Sequence, residues 1–412
     1  MGSMITSSFQ CRSCQSSRGE LALDLGIQPL ANNLLRTEDL GKPEPRFPLR
    51  LAVCRDCWLM QIMDIVPPVD LFSEYLYFSS FSDAMLAHAK AAAERHTREF
   101  GLGPESFVVE IASNDGYLLR NFQAAGVPCL GFEPARNIAR VSREKGIETL
   151  EEFFTTSSAE RLASGRKADL ILGNNVFAHA PDPNDFVQGL RRLLKPHGRV
   201  VIEFPYGVDF VEKNEFDTIY HEHVFYFTLI PLMPLFERHG LEIYHAERLT
   251  IHGGSLRIYA AHRGTQKRTA DLQALLDAEQ KLGVNTTGFY KGFADAARAI
   301  RGDLLALIAK LKAEGKRVAA YGASAKGSTL LNFCGFPAGS LDFVADRSSY
   351  KQGRLTPGAH IPILAPGELL AQRPDYTLLL TWNFKEEILH QQAEYRAAGG
   401  KFIIPIPRVE VV

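Results

Sequence analysis

Five side chains that can move protons or bind a metal lie within DTIYHEHVFYF, residues 217–227: Tyr220, His221, Glu222, His223 and Tyr226. Histidine changes charge close to neutral pH, so it suits a general base, and a neighbouring carboxylate can orient the imidazole. His221 and His223 would fall on one side of an extended chain, where they could also bind a metal. The stretch therefore indicates a general-base site, a metal site without an evident third ligand, or a hydrogen-bonded polar cluster.

Two C-x2-C pairs near the start of the chain form a second chemical pattern. Cys11 and Cys14 stand in CRSC, Cys54 and Cys57 in CRDC, and 39 residues separate the pairs. Two such turns complete the tetrahedral four-sulfur shell that Zn²⁺ prefers. Redox pairs and disulfides are the alternatives, and a reducing cytosol disfavours disulfides. Four cysteines leave no open coordination position, so we expect a structural Zn²⁺ in a module of about 70 residues.

Length and composition limit the kinds of protein that this chain can be. With 412 residues it is too long for one core, so two or three domains are expected. The formal net charge of −1 argues against a nucleic-acid partner that is bound by phosphate neutralisation. The chain contains no run of ~18 apolar residues, so a membrane span is not predicted. MGSMITSSF has no charged region followed by an apolar core, so a signal peptide is not predicted either. We expect a cytoplasmic protein without a membrane partner.

The middle of the chain has the pattern of a doubly wound parallel sheet. After a predicted helix over residues 82–100, SFVVEIASNDGYLLRNF is a buried strand, a turn of small and polar residues, and an amphipathic helix. A second strand, PCLGFEPA, ends at Glu133, which lies 23 residues beyond Glu110. At that spacing a carboxylate can accept the ribose hydroxyls of an adenosine cofactor. ADLILGNNVFAH and GRVVIEFPYG predict the third and fourth strands.

The first turn resembles motif I of the S-adenosylmethionine-dependent methyltransferases, with Ala112 where glycine is usual. The resemblance implies that the turn passes under the methionine part of the cofactor and that Glu133 holds the ribose. It also implies that EEFF (residues 151–154) and NNVFAH (residues 174–179) flank the adenine and the sulfonium. A Rossmann-like domain for another nucleotide is the alternative. The cofactor residues implied are Glu110, Ala112, Ser113, Asn114, Gly116, Glu133, Phe153, Asn174, Asn175 and His179.

The last third of the chain repeats the strand–turn–helix pattern. Residues 280–316 have helical apolar spacing and are expected to lead into this domain. RVAAYGASAKG then offers backbone N–H groups and Lys326 at a helix N-terminus, which suits a phosphate. A second strand ends at Asp346, 24 residues past Gly322. A packing domain with a solvated lysine is the alternative, and an NAD site lacks the G-x-G-x-x-G fingerprint.

The order of motifs along the chain carries a more specific resemblance. The two C-x2-C pairs, EIASNDG, NNVFAH, YHEH, HGGSLR and YGASAKG follow one another as in the sugar-nucleotide C-methyltransferases. The resemblance implies S-adenosylmethionine as methyl donor and a dTDP-4-keto-6-deoxysugar as substrate. It implies His223 as general base, assisted by Tyr220, Glu222 and Tyr77, which we prefer to Tyr75. The residues expected to line the substrate site are Tyr226, Gly254, Ser255, Gly322 and Lys326.

This chemistry accounts for the residue types in YHEH. A 4-ketone acidifies the neighbouring C–H, so a base near neutral pKa can form an enolate and a hydrogen-bond donor can stabilise its oxygen. The expected fold is α/β: a four-cysteine zinc module (1–70), a Rossmann-like methyltransferase domain (71–265) and a second Rossmann-like domain (266–412). Whether C3 or C5 is methylated, and whether the protein is a monomer or homodimer, stays open. Other activated ketones, a nucleotide-sugar sensor and a nucleic-acid-modifying enzyme are the alternatives.

Overall fold

The computed structural model describes residues 9–72 and 78–412 and arranges them around three sheets. Tyr75 and Tyr77, the aromatic candidates from the sequence, lie outside the described residues. The α/β class and the sequence of a four-cysteine module, a central domain and a C-terminal domain with a parallel sheet are confirmed. Within the described ranges, no helix is both long enough and apolar enough to cross a bilayer.

The N-terminal unit is a small antiparallel sheet that carries the cysteine pairs in its turns. Its elements are β1 (Gly19–Pro29), β2 (Arg46–Cys54), β3 (Met60–Ile62) and the short helix α1 (Pro68–Phe72). One cysteine pair precedes β1 and the other forms the β2–β3 turn. Leu49 and Leu51 of β2 are buried, so the sheet has an apolar face despite its size.

The central unit contains a seven-stranded sheet with helices between the strands. Its elements are α2 (Asp83–Glu99), β4 (Val108–Ile111), α3 (Leu119–Ala124), β5 (Cys129–Phe132), α4 (Arg136–Glu144), β6 (Thr149–Leu150), α5 (Thr156–Ala163), β7 (Ala168–Asn174), α6 (Pro183–Leu193), β8 (Leu194–Pro205), α7 (Gly207–Glu212), β9 (Phe225–Tyr226), α8 (Leu229–Arg238), β10 (Leu241–Leu249) and β11 (Ser255–His262).

The strand order in this sheet is β10-β11-β8-β7-β4-β5-β6, and only β11 runs against its neighbours. The order reverses at β4, which pairs in parallel with β5 on one side and with β7 on the other. A crevice forms at the carboxyl ends of strands at such a switch point, and ligands bind there. The turn at residues 112–116 follows β4 and the segment 174–179 ends β7, so both reach this crevice.

Strand β9 joins the central unit to the N-terminal unit. It belongs to the small sheet, where Tyr226 pairs with Met60 of β3 and Phe225 pairs with Gln61. The segment YHEH closely precedes β9. The candidate catalytic residues are therefore anchored to the cysteine-containing module rather than to the seven-stranded sheet.

The C-terminal unit has a six-stranded sheet of order β14-β13-β12-β15-β16-β17, parallel except for β17. Its elements are α9 (Ala270–Leu282), α10 (Thr287–Tyr290), α11 (Phe293–Ala313), β12 (Val318–Tyr321), α12 (Ala325–Cys334), β13 (Val344–Ala345), β14 (Ile363–Leu364), α13 (Glu368–Gln372), β15 (Tyr376–Leu379), α14 (Lys385–Gln391), α15 (Ala393–Ala397), β16 (Lys401–Ile404) and β17 (Glu410–Val411).

The stretch with helical apolar spacing over residues 280–316 is not one helix. Helix α9 ends before Gly283, whose φ is +74°, and α11 begins after Gly292, whose φ is +90°. Glycine adopts these left-handed conformations without the steric cost that other residues meet, so Gly283 ends α9 and Gly292 marks the start of α11. The apolar spacing therefore runs over the end of α9, the short α10 and α11, which leads into β12.

Candidate active site

The four predicted cysteine ligands come together at one end of the small sheet. Their sulfur atoms all lie within 4.8 Å of one another, with 3.5 Å between Cys11 and Cys57 and 3.6 Å between Cys14 and Cys54. A tetrahedral Zn²⁺ with bonds of roughly 2.3 Å sets its sulfurs about 3.8 Å apart. None of the four is in a disulfide. The set fits a closed structural zinc site, as predicted, and such an ion would stabilise the turns of this sheet.

The zinc module is docked directly on the central unit. The Asn184 side chain, on α6, donates to the carbonyl oxygens of Arg12 and Ser13 at 2.7 and 3.1 Å. Arg238, at the end of α8, donates to the same Ser13 carbonyl at 3.0 Å. These bonds hold the first cysteine turn in place, because a buried backbone carbonyl needs a donor.

The predicted cofactor turn has the strained backbone expected of a functional loop. Ala112 and Asn114 have φ of 53° and 50°, and Gly116 follows with 78°. Left-handed conformations are uncommon outside glycine and collect at binding sites. At Gly116 a side chain is also excluded by space, because a Cβ would lie 2.8 Å from the Cγ1 atom of Ile147.

Buried carboxyl groups surround this turn. Both carboxyl oxygens of Glu110 are buried and lack a hydrogen-bond partner among the described residues. Glu133 accepts from the backbone N–H groups of Asn114 and Ala135 at 3.0 and 2.8 Å. Burial raises the pKa of Glu110 well above its usual range and that of Glu133 to about 7. S-adenosylmethionine fits this donor-poor site, because its ammonium group and ribose hydroxyls supply hydrogen-bond donors to the two acids.

The remaining predicted cofactor residues occupy three different environments. Asn174 ends β7, and Asn175, with φ of 54°, has a buried side-chain oxygen that lacks a partner within the described segments. The Ser113 hydroxyl is buried against Gly131, where a Cβ would collide with it. Phe153 is 39% exposed and lies at the surface. These placements agree with a pocket whose floor is buried and whose rim reaches solvent.

The segment that begins at Phe78 crosses the cofactor turn. The backbone N–H of Ser79 donates to Oδ1 of Asn114 at 2.9 Å, and the Ser80 hydroxyl bonds to Asp115. Phe78 stacks on Tyr350 of the C-terminal unit with 5.1 Å between ring centroids. The cofactor turn is therefore covered by residues 78–80, which Tyr350 of the C-terminal unit packs against.

His223 has the hydrogen bonds of a general base. Its Nδ1 lies 3.2 Å from the carbonyl oxygen of Thr218, and its Nε2 lies 2.7 Å from the Tyr220 hydroxyl. A carbonyl only accepts, so Nδ1 carries the proton of the neutral ring and Nε2 keeps its lone pair. The Tyr220 hydroxyl donates to that lone pair. The imidazole is therefore oriented and in the tautomer that can take a proton at Nε2.

Tyr226 supports the same arrangement from inside the core. Its hydroxyl donates to the Thr218 carbonyl at 3.1 Å, beside the bond from His223. Burial raises the pKa of Tyr226 well above its usual range, so the phenol stays a donor. The sequence predicts substrate binding for Tyr226, whereas the structure occupies its hydroxyl with the backbone.

His179 lies against the base rather than only against the cofactor pocket. The imidazole rings of His179 and His223 are 4.7 Å apart, edge to face. The segments are joined by the bond from the Val224 N–H to the Ala178 carbonyl, 2.7 Å. Desolvation lowers the pKa of His179 to about 4, against an opposing effect of the Glu222 backbone. The ring is therefore neutral near pH 7, and its buried Nδ1 has no partner among the described residues.

The two histidines of YHEH have different surroundings. His221 is buried against the zinc module, where its Nε2 lies 3.2 Å from the Pro48 carbonyl and its ring meets Phe47 edge to face. Desolvation lowers the pKa of His221. In the part of the chain that the structure describes, the cysteine cluster is the one group with the geometry of a metal site. His221 therefore packs YHEH onto the module, while His223 is the base candidate.

The HGGS segment packs against two acids of the central unit. Gly253 and Gly254 have φ of 95° and 142°, and Cβ atoms there would press on the carboxyl groups of Glu215 and Asp209 respectively. The buried Ser255 donates to the carbonyl of Ile251 at 3.1 Å. The predicted substrate contacts of Gly254 and Ser255 stay predictions, and the structure gives both residues a role in a tight turn.

The GASAKG turn lies where the C-terminal and central units meet. A Cβ on Gly322 would collide with the Thr381 hydroxyl, so close packing alone requires this glycine. The Lys326 ammonium lies 4.8 Å from the centroid of the Trp382 ring. Its charge opposes the effect of burial, which raises the pKa of Glu215 to about 7 and of Asp217 to about 6. Lys326 therefore faces the loop that precedes YHEH.

Two residues of this site, Thr218 and Asn32, are not predicted by the sequence. Thr218 acts through its carbonyl, which any residue would supply, so no side-chain type could have revealed it. Asn32, in the zinc module, donates through Nδ2 to both carboxyl oxygens of Glu222 at 2.7 and 2.9 Å. A single asparagine 190 residues away from its partner leaves no local signal.

Three family profiles match consecutive parts of the chain. They are described as "Putative zinc binding domain" over residues 11–72, "Methyltransferase domain" over 85–246 and "C-methyltransferase C-terminal domain" over 250–407. C-methyltransferase NovU of Streptomyces niveus is 38% identical over 405 residues, covering 98% of this chain and 96% of that protein.

More distant similarities cover smaller shares of the chain. A ubiquinone biosynthesis O-methyltransferase of Roseobacter denitrificans is 33% identical over 102 residues, covering 23% of this chain and 41% of that protein. Magnesium protoporphyrin IX methyltransferase of Synechocystis PCC 6803 with bound SAM aligns with a TM-score of 0.34 and 13% identity, covering 44% of this chain and 82% of that structure.

Proposed function

This chain belongs to the family of S-adenosylmethionine-dependent C-methyltransferases, and we propose that its substrate is a dTDP-4-keto-6-deoxysugar, methylated at C3 or C5 beside the ketone. The observation that carries the carbanion chemistry is the hydrogen bonding of His223, whose Nε2 is left as an acceptor by the bond from Nδ1 to Thr218. Methylation of a carbon beside a carbonyl needs such a base, because the C–H must first lose its proton to form a carbanion. Methylation of oxygen or nitrogen needs no carbanion. The keto-sugar class follows the resemblance of the motif order along the chain.

Proton abstraction is assigned to His223. The C–H bond alpha to the ketone breaks, its proton goes to Nε2, and the electron pair delocalises onto the carbonyl oxygen as an enolate. The Tyr220 side chain must move away from Nε2 for this step, because its oxygen, at 2.7 Å, lies where the substrate C–H must approach. The positive imidazolium that results is stabilised by its bond to the Thr218 carbonyl.

Stabilisation of the enolate oxygen is assigned to Tyr220. His179 is a weaker candidate, because its pKa of about 4 keeps it neutral, without the positive charge that would stabilise an enolate oxygen. Tyr220 is half-buried and already directs its proton into the site. A donor aimed at the developing charge in a water-poor site is worth more than the same donor in water.

The cofactor is held by Glu110, Glu133 and the turn at residues 112–116, and when bound it supplies an electrophilic methyl group. The turn lies at the carboxyl end of β4, and the covering residues Ser79 and Ser80 bond to its Asn114 and Asp115. Exclusion of water by this cover protects the enolate from reprotonation. The nucleotide part of the substrate is assigned to the turn at residues 322–327, which includes Lys326, at the joint between the units.

Deuterium exchange tests the function directly. The protein with bound S-adenosylhomocysteine is incubated in heavy water with a dTDP-4-keto-6-deoxysugar, and mass spectrometry follows uptake at the alpha carbons. We expect exchange by the wild type and a fall on the order of 10²- to 10⁴-fold for His223→Ala. His197→Ala, on the exposed strand end of β8, is the matched control. Absence of exchange by the wild type would reject the keto-sugar substrate, and other activated ketones would then be tried.

A further inference from the structure

The zinc module contributes one side chain to the catalytic cluster. Glu222 is 3% exposed, and the Asn32 amide nitrogen reaches both of its carboxyl oxygens, at 2.7 and 2.9 Å. An amide N–H can only donate, so Asn32 binds the carboxylate form of Glu222. A buried carboxylate needs donors of this kind, because its desolvation is otherwise strongly unfavourable.

The loop that carries Asn32 is held by the C-terminal unit. The backbones of Leu35 and Leu355 exchange two hydrogen bonds, at 3.0 and 2.9 Å. Gly358 packs so closely on the end of β1 that a Cβ there would lie 3.0 Å from Cγ of Pro29. The position of the Asn32 amide is therefore fixed from both sides, by β1 and by the segment that follows β13.

Glu222 transmits this position to both histidines of the site. Glu222 directly precedes His223 in the chain, and the ring of His179 packs edge to face against that of His223 at 4.7 Å. A shift of the Glu222 side chain would move the peptide that carries His223, against which His179 packs. Displacement by about 1 Å of a group outside the chemistry can cost on the order of 10²-fold in rate.

We propose that Asn32 is a positioning residue for Glu222, through which the zinc module sets the geometry of the general base. The inference rests on the proposed role of His223 and Glu222 in enolate formation. A domain that only packs against the site would tolerate substitution of Asn32 without an effect on proton abstraction, provided that the protein folds. A positioning role instead requires that the substitution slow proton abstraction.

Substitution at Asn32 tests the proposal with a matched control on the same loop. Asn32→Ala should lower the alpha-deuterium exchange rate and kcat on the order of 10²-fold, with KM and zinc content unchanged. Asn33→Ala, at an exposed neighbouring position, should leave all four quantities as in the wild type. Equal exchange by Asn32→Ala and wild type would overturn the proposal, whereas no exchange by wild type would instead reject the proposed function.

A double-mutant cycle keeps the test informative if Asn32→Ala loses stability. If Asn32 acts only through Glu222, Asn32→Ala combined with Glu222→Gln should exchange no more slowly than Glu222→Gln alone. Multiplied losses would show that Asn32 acts elsewhere and would also overturn the proposal. Asn32→Asp sets two carboxyl groups against each other, and one takes up a proton as pH falls. Its rate relative to Asn32→Ala should therefore rise at lower pH, which a merely structural role would not produce.

Discussion

The carbonyl oxygen of Thr218 lies 3.2 Å from Nδ1 of His223 and fixes which ring nitrogen of that histidine is a base. The same oxygen accepts the Tyr226 hydroxyl at 3.1 Å. One backbone carbonyl thus orients the base while a buried tyrosine holds the carbonyl. Tyr220, which bonds to the other ring nitrogen, is left as the tyrosine that can reach a substrate.

The two tyrosines should therefore respond differently to loss of the hydroxyl. Tyr220→Phe removes the proposed donor to the enolate oxygen, and kcat should fall on the order of 10²- to 10³-fold. Tyr226→Phe removes one buried hydrogen bond, so the free energy of unfolding should fall by about 1 kcal/mol, with a decrease in kcat of less than about tenfold. Steady-state kinetics and urea unfolding measure both.

Tyr244→Phe is the control for this pair, because Tyr244 lies on β10 beside Arg199 and away from the cluster. A larger loss of kcat for Tyr226→Phe than for Tyr220→Phe would contradict the assignment. It would show that orientation of His223 by the Thr218 carbonyl contributes more to kcat than a hydrogen-bond donor to the enolate oxygen does.

The parts of this site that could be predicted are those whose partners are close in sequence. Each cysteine pair is a four-residue motif, and the turn after β4 is contiguous, so residue type and spacing suffice to find them. His221 and His223 are equivalent by type, and the tertiary contacts of His221 with Pro48 and Phe47 are what separate them. The breaks within residues 280–316 were readable in principle, since Gly283 and Gly292 are strong helix breakers.

The contacts between units could not be predicted in this way. Asn32 and Glu222 meet because β9 joins the zinc module's sheet, and a two-residue strand has no sequence signature. Trp382 donates to Asp217 across the joint with the C-terminal unit at 2.7 Å. Such pairs depend on the docking of whole domains, which no local periodicity encodes.

Cofactor affinity should depend on pH through Glu133. Burial raises its pKa to about 7 in the cofactor-free protein, and ribose hydroxyls bind the ionised carboxylate more strongly than the protonated acid. Binding below pH 7 therefore favours release of a proton, so S-adenosylhomocysteine affinity should rise from pH 5.5 to 7 and level off above it, by at most about tenfold per pH unit from this group. Calorimetry in buffers of different ionisation enthalpy measures the released proton.

Glu133→Gln should bind the cofactor more weakly and lose this part of the pH dependence. Glu110 also has a raised pKa, so any slope that remains in Glu133→Gln belongs to Glu110 or to other groups. An unchanged slope in the variant would mean that Glu133 does not titrate on binding.

Removal of zinc should separate cofactor binding from catalysis. The cofactor residues stand on the seven-stranded sheet, whereas Asn32 and β9 belong to the module that the cysteines close. A chelator, or Cys14→Ser, should therefore abolish alpha-deuterium exchange while S-adenosylhomocysteine still binds within about tenfold of its normal affinity. Cys129→Ser, outside the cluster, is the control. Persistent exchange in zinc-free protein would contradict the prediction.

Substitution of Lys326 tests whether this lysine binds the diphosphate of the substrate or only stabilises the acids that it faces. Lys326→Met keeps an apolar stem against Trp382 but removes the charge. Loss of a charge-assisted bond worth about 1.5–3 kcal/mol should raise KM on the order of 10- to 100-fold, with kcat nearly unchanged. Lys310→Met, on the exposed face of α11, should leave KM unaltered. If KM is unchanged in Lys326→Met, the ammonium serves only Glu215 and Asp217, whose pKa values it now holds down against burial, and the diphosphate must be bound elsewhere.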